Sequence, residues 1–392
     1  MRLPVRCLEI TSIERSLYEM ERMGLDPAGF RSLAPKQLHY NLKVEGLTGT
    51  QAETIKEDAL SGASPVTVAA SSSGEAVLSG TLDALKSLID RLKERPHAAP
   101  LALCLGEALD NSRKNEFVIS GREKDLKIGP STLIMGILNV TPDSFSDGGL
   151  FMDKERAVER AFEMYEDGAD WIDIGGESTR PGAAPVALKE ELERVVPVVE
   201  ALAGKGFTVS IDTTKAEVAK EALEAGAAIV NDISALSMDP SMAGVCARYG
   251  APVVLMHMRG TPRTMQKDLR YKDLVSEVYG YLWSRVEYAG ENGIGRDKII
   301  LDPGLGFGKS VEGNLRLVKD LKEFKSMGLP LLIGASRKSF IGKTLGADTA
   351  GRLTGTLAVS VISILNGAKI LRVHDVKEAR EAALVADAVR MS

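Results

Sequence analysis

From Leu133 to the end of the chain one pattern recurs eight times: a short, mostly apolar run, often β-branched, that ends in polar residues, followed by a helical segment rich in Ala, Glu and Lys. The runs are Leu133–Val140, Trp171–Gly175, Thr208–Asp212, Ala228–Ile233, Pro252–Met258, Ile299–Asp302, Leu331–Gly334 and Ile370–Val373. Continuous apolar runs of this kind suit parallel strands buried on both faces. The intervening stretches, among them Asp153–Asp167, Lys189–Ala203, Lys215–Ala225, Leu274–Ala289 and Val311–Ser326, place apolar residues at spacings near three and four. Eight strand-helix units in about 245 residues is the size of a (β/α)8 TIM barrel, whose functional groups gather where strands give way to loops.

The polar residues at the strand ends therefore have an address. They are Asn139, Asp173, Asp212, Asn231, His257 and Asp302, then Lys338 beyond the seventh run, and the pair Arg372 and His374. Each has a bland reading: Asp302-Pro-Gly as a turn, Asp212-Thr-Thr as a helix cap, His257 as a satisfied core histidine. Eight strand ends that all carry carboxylate, amide or cationic groups are harder to explain as caps. Buried polar groups cost about 1 to 3 kcal/mol each when unpaired, so a ring of them implies a polar ligand.

Asp212, Asn231, Asp302 and Lys338 form an acceptor-rich set suited to a flat heterocycle with several N–H donors. Arg372 and His374 suit phosphate oxygens. Asn139 offers the neutral oxygen appropriate to a Mg2+ that keeps most of its waters and takes its other ligands from a diphosphate. Heterocycle, diphosphate and hard metal together suggest transfer of a heterocyclic carbon away from pyrophosphate. Gly304-Leu-Gly-Phe-Gly-Lys-Ser310 imitates a phosphate loop, but the Walker spacing needs a glycine where Pro303 stands.

Residues 1–115 lie outside the repeat and read as a small α/β extension, with strand-like runs at Gln37–Glu45 and Pro65–Ala70 and helical patterns at Ser12–Met23, Thr50–Ala59 and Thr81–Glu94. Residues 116–392 form the barrel domain, in which 116–130, around Ser120-Gly-Arg122, read as a β-hairpin expected to plug the amino-terminal end of the barrel. The net charge of −5, with no strongly basic segment, points away from nucleic acid. The longest apolar segment, Leu357–Leu365, is less than half the roughly 20 residues that span a bilayer. Cys7, Cys104 and Cys246 lack metal-type spacing. With an apolar N-terminal run too short for a signal peptide, they favour a reducing, cytoplasmic setting.

Taken as an ensemble, the segment 134–149, the loop Asp173-Ile-Gly-Gly-Glu-Ser-Thr-Arg-Pro-Gly182, Ser210-Ile-Asp-Thr213, Asn231-Asp232, Met256-His-Met-Arg-Gly-Thr-Pro262, Asp302-Pro-Gly-Leu-Gly-Phe-Gly-Lys309, Gly334-Ala-Ser-Arg-Lys-Ser339 and Arg372-Val-His-Asp-Val376 resemble dihydropteroate synthase, over about 260 of the 392 residues. The resemblance implies a (β/α)8 transferase of folate synthesis that joins 6-hydroxymethyl-7,8-dihydropterin diphosphate to p-aminobenzoate and releases pyrophosphate. It implies a pterin site of Asp173, Asp212, Asn231, Met256, Asp302, Gly334 and Lys338, with Phe145, Thr179, Pro181, Phe307 and Ser336 around p-aminobenzoate. It places Asn139, Arg180, Arg372 and His374 on the diphosphate, with Asn139 on Mg2+. Asp143, Arg180, Lys338, Arg372 and His374 carry the catalysis on this reading, Asp143 as an electrostatic stabiliser on the first of two lid loops, 141–149 and 176–182. A homodimer joined through late helices such as Thr354–Asn366 also follows from the resemblance. The extension is the departure, since such enzymes commonly consist of little more than the barrel; a structural or oligomerising role is expected of it. Two rivals remain: a pterin-binding methyltransferase domain, which has no need of Thr179-Arg-Pro181, Ser336-Arg-Lys338 or Arg372-Val-His374, and a non-catalytic pterin sensor.

Overall fold

The computed structural model describes residues 8–24, 31–61, 65–140, 150–179 and 184–392. The chain divides into two compact units, Met1–Asn111 and Ser112–Ser392. The first holds a three-stranded antiparallel sheet, β1 (His39–Val44), β2 (Thr67–Ala70) and β3 (Ala76–Thr81), in the order β1-β3-β2. Its helices include Ile13–Arg22, Gly49–Leu60, Leu82–Lys93 and Ala99–Asn111. Leu78, Leu85, Leu88, Leu92 and Ile55 close a core of its own. The middle strand β3 and the helix Ala99–Asn111 go beyond the elements expected from sequence. Ala76–Thr81 is short and carries Ser79 and Gly80, so only its two cross-strand partners identify it.

In the second unit β4 (Phe117–Ile119) and β5 (Leu126–Ile128) form an antiparallel hairpin. Eight parallel strands then close into a barrel: β6 (Leu133–Asn139), β7 (Trp171–Gly175), β8 (Val209–Asp212), β9 (Ile229–Asp232), β10 (Val253–Met256), β11 (Ile299–Asp302), β12 (Leu331–Ile333) and β13 (Ala368–Val373), in chain order with β13 pairing β6. Helices cover the outside. The segment expected as one helix over Val311–Ser326 breaks at Asp320, giving an α-helix Val311–Lys319 and a 3-10 helix Leu321–Met327.

Side chains alternate across a strand, and this period sorts the barrel interior into two layers of opposite character. The lower layer is Met135, Trp171, Ile229, Val254, Ile300, Leu332 and Ile370, packed in one apolar cluster with Phe117, Ile119, Leu126 and Ile128 of the hairpin. Two residues further along the same strands come Asp173, Asn231, Met256, Asp302, Gly334 and Arg372. Six of the eight strands, β7, β9, β10, β11, β12 and β13, thus spend one inward position on closing the barrel floor and follow it two residues later with a position on the floor's opposite side. The hairpin is tied in place by Ser120 N, which donates to the Asp297 carbonyl at 2.8 Å, and by Lys298 Nζ, which donates to the Ser120 carbonyl at 2.9 Å.

Candidate active site

Strand register brings the polar layer together. Gly175 lies opposite Asp212, and Asp212 opposite Asn231, while Met256 lies opposite Asp302. Arg372 reaches across from β13: its Nε donates to Asp173 Oδ2 and its Nη2 to Asp212 Oδ2, each at 2.6 Å. Asn231 Nδ2 donates to the same Asp173 oxygen at 2.9 Å. Asp173 is fully buried, so its charge is held by a guanidinium and an amide rather than by water. The arginine bridging both carboxylates keeps its own pKa raised, against the cost of burial.

This network is incomplete. Asp173 Oδ1 and Ser210 Oγ, on residues directly paired across β7 and β8, are buried without a hydrogen-bond partner among the described residues. Asp212 pays for the crowding: burial pushes its carboxyl up to about 7, with Arg372 opposing and Asp173 adding to the rise. Asp302 is likewise raised by burial, although Lys338 opposes and the Gly304 amide donates to its Oδ1 at 2.7 Å. Burial brings Lys338 down to about 8. Acceptors with raised pKa values beside a lysine with a lowered one mark a candidate site for a ligand with matching donors and acceptors.

Lys338 is placed by backbone geometry. Its ammonium donates to the Leu305 carbonyl and lies 4.4 Å from the centroid of the Phe307 ring. Gly306, at φ +85°, lets the lysine stem pass, since a Cβ there would sit 2.8 Å from Lys338 Cδ. Gly334 faces both cations: a Cβ would come 3.9 Å from Lys338 Nζ and 3.8 Å from Arg372 Cβ. Ser336 Oγ accepts from the His374 amide at 3.2 Å and lies 3.0 Å from His374 Nδ1. Met256, Met258, Met265 and Ile233, with Phe307 against them, supply an apolar wall. Asn139 ends β6 with its Oδ1 toward Gly175, where a Cβ would meet it at 3.9 Å and Asp212 Oδ2 at 3.8 Å.

His257 belongs to the scaffold. Its Nδ1 lies 2.9 Å from Lys309 Nζ, its ring meets Tyr281 edge-on at 4.9 Å, and burial followed by the Lys309 charge lowers its pKa strongly. Lys309 in turn donates to the carbonyls of Gly304 and Phe307 at 2.8 and 2.9 Å. The glycine-rich loop is therefore wrapped around its own lysine and does not cradle phosphate with it.

The sequence matches the pterin binding enzyme family over residues 135–374. It is 50% identical to dihydropteroate synthase of Synechocystis over 263 residues, 67% of this chain and 91% of that one. The chain belongs to the dihydropteroate synthases. Among solved structures, that of the Xanthomonas albilineans dihydropteroate synthase with 4-aminobenzoic acid has a TM-score of 0.66 and 40% identity, covering 71% of this chain and 99% of that chain. A probable bifunctional folylpolyglutamate synthase/dihydropteroate synthase of Halobacterium salinarum is 40% identical over 387 residues, 97% of this chain and 47% of the other. The extension therefore has a counterpart in at least one synthase relative.

Four positions that the synthase resemblance assigns, Asp143, Phe145, Arg180 and Pro181, lie outside the described residues. Thr179, within the second loop, is described and half-buried. Sequence reasoning missed the supports of that loop. Lys215 Nζ donates to the carboxylates of Glu177 and Glu191 and, at 2.9 Å, to the Val186 carbonyl. Thr213 Oγ1 donates to Glu191 Oε1 at 2.7 Å, and Arg194 Nη1 to the Gly176 carbonyl at 2.7 Å. The signal in sequence was Thr213 and Lys215 following Asp212, easily taken for a helix cap. Ser210 was missed too, though it stands two residues before Asp212 on the same inward face.

Proposed function

We infer that the barrel joins 6-hydroxymethyl-7,8-dihydropterin diphosphate to p-aminobenzoate, giving 7,8-dihydropteroate and pyrophosphate in folate synthesis. The observation that carries the reading is the part-satisfied polar layer of the buried Asp173, Ser210, Asn231 and Asp302 with the half-buried Asp212, facing Lys338, in a chain of this family. The pterin's N–H groups donate to Asp212, Asp302 and the Asn231 amide oxygen, and Lys338 donates to its acceptors. Met256 lies against one face of the ring, and Gly334 leaves room at its edge. Such interactions fix the heterocycle before reaction, which removes positional entropy from the chemical step.

Arg372 and His374 hold the diphosphate and stabilise the charge that builds on the leaving pyrophosphate. Phe307, Ser336 and Thr179 border the arylamine, whose nitrogen attacks the exocyclic methylene, so the protein need supply no nucleophile. Among the described residues no cluster of three His, Cys, Asp or Glu is built to hold a metal. The donor set instead fits Mg2+ bound chiefly by water and substrate, with Asn139 Oδ1 as its one protein oxygen. When bound, the ion neutralises diphosphate charge. Asn139→Ala then weakens diphosphate binding in Mg2+ without affecting pterin alone; unchanged metal dependence of binding contradicts this role.

Leu384, Val385, Val389 and Met391 on the last helix, with Ile362 and Leu365 on Leu353–Leu365, are exposed apolar residues. They support a homodimer through these helices, and sedimentation of the full chain at a monomer's mass overturns it. No described helix is long and apolar enough to cross a membrane. Cys104 and Cys246 are unpaired, which supports a cytoplasmic setting. The decisive experiment is pyrophosphate release with dihydropterin diphosphate and Mg2+, with and without p-aminobenzoate. Release that requires the arylamine and yields dihydropteroate is expected; saturable pterin binding with no turnover would favour the sensor.

A further inference from the structure

At the amino-terminal end of the barrel, on the outward side of β13, lies a cavity of about 250 Å3 whose lining includes Lys322, Lys325, Lys369 and Arg390 together with Asn115 and Pro130. Lys369 is only 2% exposed, and its ammonium donates to the Gly129 carbonyl at 3.2 Å. Lys325 Nζ donates to Asn115 Oδ1 at 3.2 Å. Its stem runs tight against Gly367, at φ +105°, where a Cβ would sit 2.7 Å from Lys325 Cδ. The backbone has been shaped to let this lysine through. Arg390 Nη2 donates to the Pro130 carbonyl and to Asp387 Oδ1, the latter at 2.6 Å.

The counter-charge is insufficient. Asp387 already accepts from Thr132 N at 2.6 Å and Thr132 Oγ1 at 2.9 Å, and Glu116 is the other acid acting on Lys369. Four cations thus meet two carboxylates. Burial, then Arg390 and Lys325, brings Lys369 down to about 8, while burial, then Lys322 and Arg390, lowers Lys325. Like charges gathered around a cavity raise the energy of the fold unless an anion enters it. A volume below that of drug-sized pockets suits a tetrahedral oxyanion or two joined together.

We propose that this cavity is a second anion site, separate from the catalytic end of the barrel, that takes inorganic phosphate or pyrophosphate against Lys325, Lys369 and Arg390. It goes beyond the synthase reading and does not depend on it. Bound anion joins β13, the residues after the hairpin and the end of the last helix, so occupancy stabilises the barrel floor without touching the reaction.

Calorimetric titration of the full chain with phosphate tests the proposal, using Arg372→Ala as parent so that the catalytic end contributes little heat. One phosphate per chain is expected in that parent, and adding Lys322→Gln with Lys325→Gln weakens it at least tenfold. In the native background the same rim pair leaves turnover within twofold. Thermal unfolding provides a second readout in the same Arg372→Ala parent: phosphate raises its Tm more than sodium chloride at equal ionic strength. The excess shrinks between pH 7 and pH 9 as Lys369 loses its proton, and Lys369→Met abolishes it. A phosphate effect no larger than that of chloride, or a rim pair that binds as tightly as its parent, overturns the proposal. The rim pair lies at half-exposed and exposed positions, so it decides the matter even if Lys369→Met does not fold.

Discussion

Asp212 and Lys338 bracket neutral pH from opposite sides, one raised to about 7 and the other lowered to about 8 by burial first of all. Pterin recognition needs the first ionised and the second protonated. The value of kcat/KM for dihydropterin diphosphate should therefore follow a narrow bell between these limits, because this parameter reports the free enzyme's groups. Asp212→Asn should lower kcat/KM and flatten the acid limb; an unchanged acid limb in that variant would reassign it. The stability signs agree. Asp212, raised above its ordinary 3.8, favours the folded state below that value and loses the contribution as pH rises through 7. Lys338, lowered from 10.5, contributes fully above that value and loses the contribution as pH falls from there through 8. Near neutral pH the ligand-free site is penalised for both charges, so a pterin that pairs with them should raise Tm.

Two small elements do work out of proportion to their size. The hairpin of β4 and β5 covers the lower layer of the barrel, and Ile128 is fully buried there. Ile128→Ala should cost about 2 to 5 kcal/mol, the range for a buried isoleucine whose site cannot collapse; chemical denaturation measures it, and a loss below 1 kcal/mol would show that the hairpin is only a loose cover. The second element is the clasp of Lys215, Glu177 and Glu191 beneath the loop that carries Thr179. Burial opposes the Lys215 charge, but its bonds to both carboxylates raise its pKa overall. Lys215→Met leaves Glu191, 1% exposed, without its cation. We expect KM for p-aminobenzoate to rise about tenfold to a hundredfold, the scale of an ångström-sized misplacement, with pterin affinity nearly kept. Lys215→Arg should restore part of the loss; equal loss for both substrates would instead mark general damage.

At the scale of the molecule, each unit has its own apolar core, and the family match falls within the second, over residues 135–374. A chain beginning near Asn115 should keep its turnover within about threefold, since the positions that the resemblance assigns to the site all lie within residues 139–374; loss of activity in a folded truncated chain would give the extension a direct role. The barrel itself was legible because its signal is periodic. Eight apolar runs end in polar residues, and the strands fall within one or two residues of those runs because burial on both faces leaves little freedom in composition. The strand-end residues Asp173, Asp212, Asn231, Asp302 and Arg372 were legible for the same reason: polar groups in otherwise apolar strands need a ligand. Local sequence could not show that Arg372 bridges Asp173 and Asp212 from 199 and 160 positions away. Nor could it show that Lys309 turns inward to His257, that Ser210 joins the polar layer, or that Lys322, Lys325, Lys369 and Arg390 converge on one cavity. Periodicity lies along the chain and survives in sequence; side chains from different strands and helices acquire neighbours only when the barrel closes, and closure sets their charges, their burial and what they can bind.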